Sequence, residues 1–341
     1  MISYSRQGIN DDDVRAISEV MKDDFLTTGP KIEEFEQALC NYSGSKFCRV
    51  LSSGTAALHA AMFAIDLKPG DEVIIPTMTF VATANCVRYM HGTVVLCDVD
   101  DSLCIDPEKI ENLITPKTKA VICVDYAGQA CNYPRIKDIC GLHNLYLISD
   151  ACHSMQVDPR SDITCFSFHP VKHITTGEGG ACLTNSFIFN LMIKSFRNHG
   201  RVDNDMISLG YNYRMNDIQA ALGISQLKRI KQKLNERSKI AKKYDEHFED
   251  ITLEYKRQHT YHLYVIKVDN RDVVMGYLKY KGIGCQIHYK PIYDLHYYKS
   301  LKGNFENTEK LKDKILSIPI YPGLSENEQE YIIREIKQCQ K

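Results

Sequence analysis

The sequence predicts an α/β chain in two parts: an N-terminal arm and a large domain on a mainly parallel sheet over residues 1–240, then a smaller α+β domain over residues 241–341. Three features carry that prediction. Between residue 31 and about residue 185, helical patterns alternate with short apolar runs, the texture of a parallel sheet with crossover helices. The runs are nearly continuous in apolar character, as strands covered on both faces are. After Asn216 the alternation stops, and too few strands remain to extend the first sheet.

Residues 31–42 read as a helix, with Pro30 ahead of it and Gly44 just past it. Residues 53–65 read as another, with Leu58, Ala61, Met62 and Ile65 on one face. Asp106-Pro107-Glu108 is a helix start, an acid cap followed by proline. The strand candidates are residues 72–75, 93–97, 120–124, 145–149, 163–168 and 180–183. Asn216-Asp217-Ile218-Gln219 resembles a capping box, and helical character runs on to about residue 248. Residues 261–268 then read as a strand, 271–281 as a helix, 284–289 as a strand and 326–337 as a helix.

Composition removes several function classes. Lys plus Arg is 42 and Asp plus Glu is 43, a net charge of −1, so the basic excess of a nucleic-acid binder is absent. An apolar fraction of 44% sets the chain apart from disordered sequences. No apolar run reaches the roughly 18 residues of a membrane span, and the N-terminus does not read as a signal peptide. The 13 cysteines include no C-x-x-C pair, and several sit in apolar runs. They read as reduced thiols of a cytoplasmic protein, with neither a zinc site nor a disulfide framework.

Four segments carry candidate chemistry, each with a bland alternative. Ser52-Ser53-Gly54-Thr55-Ala56-Ala57-Leu58 is an ordinary helix cap or a phosphate cradle of backbone N–H groups and hydroxyls. Asp150, at a strand end and followed by His153, caps a turn or holds a protonated ring nitrogen. Phe80, in Thr79-Phe80-Val81-Ala82-Thr83-Ala84-Asn85, packs in the core or stacks on a planar ring. Lys172 lies in Ser167-Phe168-His169-Pro170-Val171-Lys172-His173 ahead of Gly177-Glu178-Gly179-Gly180. Most lysines are solvated. One enclosed by this sequence loses charge more readily, and its amine becomes a nucleophile toward a carbonyl. A phosphate cradle, a stacking aromatic, a ring-nitrogen acid and a reactive lysine are together what pyridoxal 5′-phosphate (PLP) needs. A nicotinamide-binding G-x-G-x-x-G after an early strand is not found.

With these four segments stand Thr27-Thr28-Gly29-Pro30, Asn198-His199-Gly200-Arg201, Gly210-Tyr211-Asn212-Tyr213-Arg214-Met215, His262-Leu263-Tyr264, His288-Tyr289-Lys290-Pro291-Ile292-Tyr293 and Leu316-Ser317-Ile318-Pro319. In this order, over nearly the whole chain, they resemble the DegT-type sugar aminotransferases, PLP enzymes of fold type I with the aspartate-aminotransferase-like architecture. The Lys172 segment resembles the subgroup that aminates C4 of UDP-linked 4-keto-6-deoxyhexoses. His173 departs from the proline found in the pseudaminic-acid-pathway enzyme. The resemblance implies that Thr55, Ala56 and Ser167 bind the PLP phosphate, Phe80 stacks on the ring, Asp150 holds its nitrogen and His153 approaches its hydroxyl oxygen. Lys172 and Asp150 are the implied catalytic residues. Asn212 matches a residue that reaches the phosphate of a neighbouring subunit, which implies a homodimer with shared sites. Tyr4, Thr27, Thr28, His288, Tyr289 and Lys290 match positions near the nucleotide sugar. L-glutamate is the implied amino donor, with Arg201 or Arg214 for its carboxylate; no metal is implied. Two products stay open, UDP-viosamine, the preferred one, and the 2-acetamido L-sugar of the pseudaminic route. A 3-aminotransferase or another PLP reaction on a nucleotide sugar is the alternative, and a non-enzymatic PLP-binding regulator the remote one.

Overall fold

In a computed structural model, which describes residues 1–203, 205–255 and 257–339, a seven-stranded sheet forms the centre of the large domain. Its strands are β1 (Phe47–Leu51), β2 (Glu72–Pro76), β3 (Thr93–Cys97), β4 (Thr118–Val124), β5 (Tyr146–Asp150), β6 (Ile163–Ser167) and β7 (Gly180–Thr184), in the spatial order β1-β7-β6-β5-β4-β2-β3. From β3 to β6 all neighbours are parallel; β7 runs antiparallel to both β6 and β1. A two-stranded hairpin, β8 (Arg201–Val202) and β9 (Asp205–Met206), follows, and the C-terminal part pairs β10 (Tyr264–Lys267) with β11 (Ile315–Ile318).

The helices of the first half are α1 (Asp11–Val20), α2 (Pro30–Ser43), α3 (Gly54–Ala64), α4 (Val81–Tyr89), α5 (Pro107–Ile110), α6 (Tyr133–Leu142) and α7 (Phe187–Phe196). Those of the second half are α8 (Asp217–Leu227), α9 (Ile230–Phe248), α10 (Arg271–Tyr280), α11 (Glu306–Leu311) and α12 (Glu326–Cys339). One apolar cluster joins the sheet to α3, α4 and α7, and a second joins its other face to α6. Leu51, Leu58 and Met62 are fully buried there, each contributing about 1.5–3 kcal/mol by leaving water. A separate cluster links α9, α10, α12, β10 and β11 in the smaller unit.

The expected helices at 31–42 and 53–65 and all six expected strands of the large sheet appear, with ends shifted by one or two residues. Gly44, at φ 76°, closes α2 in the left-handed conformation that glycine adopts without steric cost. The sheet is mainly parallel, as expected, with β7 alone reversed. Two readings need correction. The helix expected from 216 to 248 is two helices, broken around Lys228 and Arg229. Residues 284–289 form no strand: the Gly284 N–H goes to the Ile2 carbonyl, and only Gln286 bridges to Ser317. The partner of β10 is β11 instead. The helix α9 runs through residue 240, so the proposed domain boundary lies inside it.

Candidate active site

The C-terminal ends of the parallel strands collect at one edge of the sheet, where ligands of open α/β sheets bind. Asp150 ends β5 and Ser167 ends β6; the reversed β7 starts there at Gly180, paired with Ser167 and Leu51. A side chain at Gly180 would meet the Ser53 carbonyl oxygen at 2.4 Å, so only glycine lets the turn into α3 lie against β7. A cavity of about 470 Å³ opens at this edge. It is lined by Tyr4, Thr55, Phe80, Asp150, His153, Ser167, Lys172, His288 and Tyr289, nine of the residues singled out from the sequence. Ala56, next to Thr55 on α3, is buried and does not line the cavity. Thr27, Thr28, Asn212 and Lys290 are exposed and do not line the cavity, and neither do Arg201 and Arg214. Thr27 bridges to Asn216 and Asn212 to Asn198; Arg214 Nη1 donates to Asn198 Oδ1 at 2.6 Å.

The first wall is the N-terminus of α3. Ser53 Oγ accepts the Ala56 N–H at 3.0 Å, so that N–H is already used as a cap. Among the described residues the Gly54 and Thr55 N–H groups have no acceptor. With the Ser53, Thr55 and Ser167 hydroxyls they form a donor-rich concavity at the positive end of a helix. A Cβ on Gly54 would stand 2.9 Å from the Ser167 Cβ and fill it.

Asp150, 4% exposed, is fixed from two sides. Its Oδ2 accepts from the Thr83 hydroxyl at 2.8 Å, and its Oδ1 from the Cys152 N–H at 3.3 Å. Because Thr83 spends its one proton on Asp150, the Thr79 hydroxyl 2.7 Å away is the donor to Thr83. Phe80 caps α4 without a side-chain bond and presents a ring that is 53% exposed beside otherwise buried neighbours. Its centroid lies 5.8 Å from that of Tyr289.

Lys172 lies on the turn between β6 and β7. Thr175 and Thr176 hydroxyls bind the carbonyls of Phe168 and Glu178, and Gly177 turns at φ 78°, so the segment folds back on itself. Burial lowers the pKa of the lysine amine, opposed by the nearby Cys152 and Asp150. His153 is buried as well. Its Nε2 meets the Tyr289 hydroxyl at 2.9 Å, while its Nδ1 is buried without a partner. Burial and the neighbouring Lys172 hold that imidazole well below its usual pKa. The His288 carbonyl accepts from the Tyr126 hydroxyl, and its Nδ1 contacts Ser317 Oγ at 2.9 Å. Burial takes the His288 pKa down to about 4.

Sequence reasoning left out Thr83, Cys152 and Tyr126, and gave His262 no role. Thr83 was within reach, in the same segment as Thr79 and Phe80 and in the first turn of α4; the others carry no local signal. All 13 cysteines are free, and among the described residues no group of three or more His, Cys, Asp or Glu side chains is placed to hold a metal ion. No described helix is long and apolar enough to cross a membrane.

The arrangement fits PLP: an anion cradle, a carboxylate fixed on two sides, a half-exposed aromatic face, an orphaned imidazole nitrogen and an amine that sheds its proton readily. The comparisons agree. A model of the DegT/DnrJ/EryC1/StrS aminotransferase family matches residues 7–337. The UDP-4-amino-4,6-dideoxy-N-acetyl-beta-L-altrosamine transaminase of Campylobacter jejuni subsp. jejuni serotype O:23/36 is 36% identical over 361 aligned positions, covering 97% of this chain and 96% of that one. The structure of Helicobacter pylori PseC, an aminotransferase of pseudaminic acid biosynthesis, superimposes with a TM-score of 0.94 at 31% identity, over 99% of this chain and 98% of that one. The sugar aminotransferase Spr1654 of Streptococcus pneumoniae, solved in its PLP form, gives a TM-score of 0.93 at 28% identity, over 99% and 98% of the two chains. The chain thus belongs to the DegT/DnrJ/EryC1/StrS aminotransferase family and is a PLP-dependent aminotransferase of fold type I.

Proposed function

We propose that this aminotransferase moves an amino group from L-glutamate to C4 of a UDP-linked 4-keto-6-deoxyhexose, giving the 4-amino-4,6-dideoxy sugar used in surface glycans. The observation that carries the reading is the meeting of Lys172, Asp150 and the α3 cradle in one cavity. Bound PLP supplies an electron-accepting ring and an aldehyde carbon that carries the amino group between the two substrates. Thr55, with Ala56 next to it, and Ser167 hold the phosphate; Gly54 and Ser53 add donors. Phe80 covers a ring face, Asp150 keeps the ring nitrogen protonated, and His153 serves the ring hydroxyl. Lys172 anchors the aldehyde carbon and, once released, moves the proton between the donor Cα and that carbon. A base positioned in this way contributes about 10²–10⁴-fold.

Tyr4, His288 and Tyr289 face the sugar nucleotide, with Thr27, Thr28 and Lys290 outside the cavity of a single chain. Asn212 serves the phosphate of a second copy. Supporting that homodimer, Met206, Ile207 and Leu209 beside it are 61%, 65% and 71% exposed, an apolar strip awaiting cover. The names of the relatives favour the 2-acetamido L-sugar over the UDP-viosamine precursor preferred from the sequence. The free thiols support a reducing, cytoplasmic setting.

The test is a panel of UDP- and dTDP-linked 4-keto-6-deoxyhexoses with L-glutamate, with NMR of the products. Nitrogen at C4 of a UDP sugar is expected. Nitrogen at C3, or turnover confined to dTDP sugars, overturns the assignment.

A further inference from the structure

Lys172 has one side-chain hydrogen-bond partner among the described residues, and it comes from 90 positions down the chain: His262 Nε2, 3.4 Å from Lys172 Nζ. We propose that His262 is a positioning residue for Lys172, its Nε2 holding the lysine amine in place while its backbone is clamped from both sides. The proposal deepens the functional reading and rests on it where it concerns turnover.

The clamp is visible in the backbone. On one side, the Thr260 and Leu263 N–H groups donate to the carbonyls of Gly128 and Ala127, just past β4. On the other, Arg237 of α9 is 1% exposed, and its Nη1 lies 3.0, 3.1 and 2.9 Å from the carbonyl oxygens of Tyr261, His262 and Ile320. No carboxylate pairs with Arg237 among the described residues; its charge is spread over carbonyls. His173, the neighbour of Lys172, reaches the Thr260 carbonyl through Nε2 at 3.2 Å. The segment that carries His262 and the segment that carries Lys172 are therefore tied twice, once from a side chain to a backbone carbonyl and once between side chains.

The imidazole lines the cavity and has no other hydrogen bond among the described residues. It is 2% exposed, and its Nδ1 is buried without a partner. Its ring lies 4.4 Å from that of His153 and 5.6 Å from that of His173. The titratable groups around the pair are Lys172, Arg237, Asp150, the buried imidazoles of His153 and His173 and the buried Cys152 thiol, with His288 and Tyr289 across the cavity. Burial first, then the neighbouring Lys172 and the other basic groups His153, His173 and Arg237, disfavour a proton on His262. A neutral Nε2 accepts an N–H from the lysine, which restrains a side chain that otherwise has four rotatable bonds to spend.

Three variants separate this role from packing. Glutamine places an amide near the position of Nε2; asparagine reproduces only the Nδ1 side, which touches nothing; leucine keeps the bulk and removes both nitrogens. The first readout needs no cofactor: trace acetylation of Lys172 in the PLP-free protein, followed by mass spectrometry across pH. Losing an acceptor from the ammonium lowers the midpoint, so His262→Leu and His262→Asn should titrate about one pH unit lower than wild type. His262→Gln should stay within a few tenths. In the loaded enzyme, the Leu and Asn variants should lose about 10–100-fold in kcat, with KM for glutamate changed less than about twofold and a larger isotope effect from Cα-deuterated glutamate. His262→Gln should recover most of the rate. Unchanged midpoints in all three variants, or a Gln variant as impaired as Leu while folded by circular dichroism, overturn the proposal. Because the midpoint is read without turnover, its failure is distinguishable from a failure of the functional reading, which would show as wild-type protein inactive on every sugar.

Discussion

The cavity and the β8–β9 hairpin stand in contrast. Around Asp150 and Lys172 the chain holds each side chain by a hydrogen bond, Thr83 and Cys152 on Asp150, Tyr289 on His153, His262 on Lys172, and leaves the His153 Nδ1 and the Gly54 and Thr55 N–H groups free inside the cavity. Around Asn212 what stays unanswered is apolar surface. Val202, Met206, Ile207 and Leu209 are exposed, and the polar residues beside them mostly meet one another across short bridges. The proposed reacting groups thus sit at a strand end and on the turn between two strands, where packing and hydrogen bonds fix them, while the part implied to serve a second subunit sits on a loop that one copy leaves uncovered. The proposed chemistry and the proposed assembly fall to different regions.

Lys172→Ala attacks the first region at its centre and should have the largest effect, a loss of turnover of about 10⁴-fold or more, since anchor and base vanish together. Borohydride reduction of the wild-type holoenzyme should place the PLP adduct on the Lys172 peptide; an adduct on another lysine would reject the assignment. The second region is tested by combining Ile207→Asp with Leu209→Asp. Sedimentation should show a dimer for wild type and a monomer for the variant. A fully active wild-type monomer would dissolve the contrast.

A smaller effect probes what supports the cavity from behind. Asp125, at the end of β4, is fully buried and accepts from Ser154, Tyr133 and the Cys131 N–H. Burial raises its pKa from 3.8 to about 6. The native state then binds the proton more tightly than the unfolded chain does. This group's contribution is full below about pH 4 and is lost as pH rises to about 6, a change of roughly 3 kcal/mol. Asp125→Asn should flatten that part of the urea-derived stability profile; a profile parallel to wild type would show that the carboxyl is already ionised at pH 4. The smallest effect is expected of Thr83→Val, which removes one hydrogen bond from Asp150. A loss of about tenfold in kcat follows from roughly 1–1.5 kcal/mol, and a wild-type rate would leave Asp150 held by Cys152 alone.

Much of this was legible in the sequence because burial on both faces leaves a simple trace: short apolar runs read as strands whichever way they point. The same simplicity hid the direction of β7, since an apolar run reads alike in either orientation. β1 was missed because Arg49 interrupts it, a charge neutralised by Glu36 at 2.5 Å and held by Asn190. α4 was missed as well, having small residues inside and no capping side chain at Phe80. Within the site, Lys172, Asp150 and the α3 turn showed through residue types that one ligand requires in a fixed order. His262 did not, because its place depends on carbonyls gathered by Arg237 from two distant segments, and no local pattern encodes that.

The N-terminal arm has a consequence for how the molecule is made. The Ile2 N–H and carbonyl pair with Gly282 and Gly284, and the Tyr4 carbonyl accepts from the Ile320 N–H at 3.2 Å. All seven strands of the large sheet, the last ending at Thr184, are translated before Gly282, Gly284 and Ile320. Residues 2–4 therefore dock only after partners far along the chain have been made, and Tyr4 closes its side of the pocket only once Ile320 is in place.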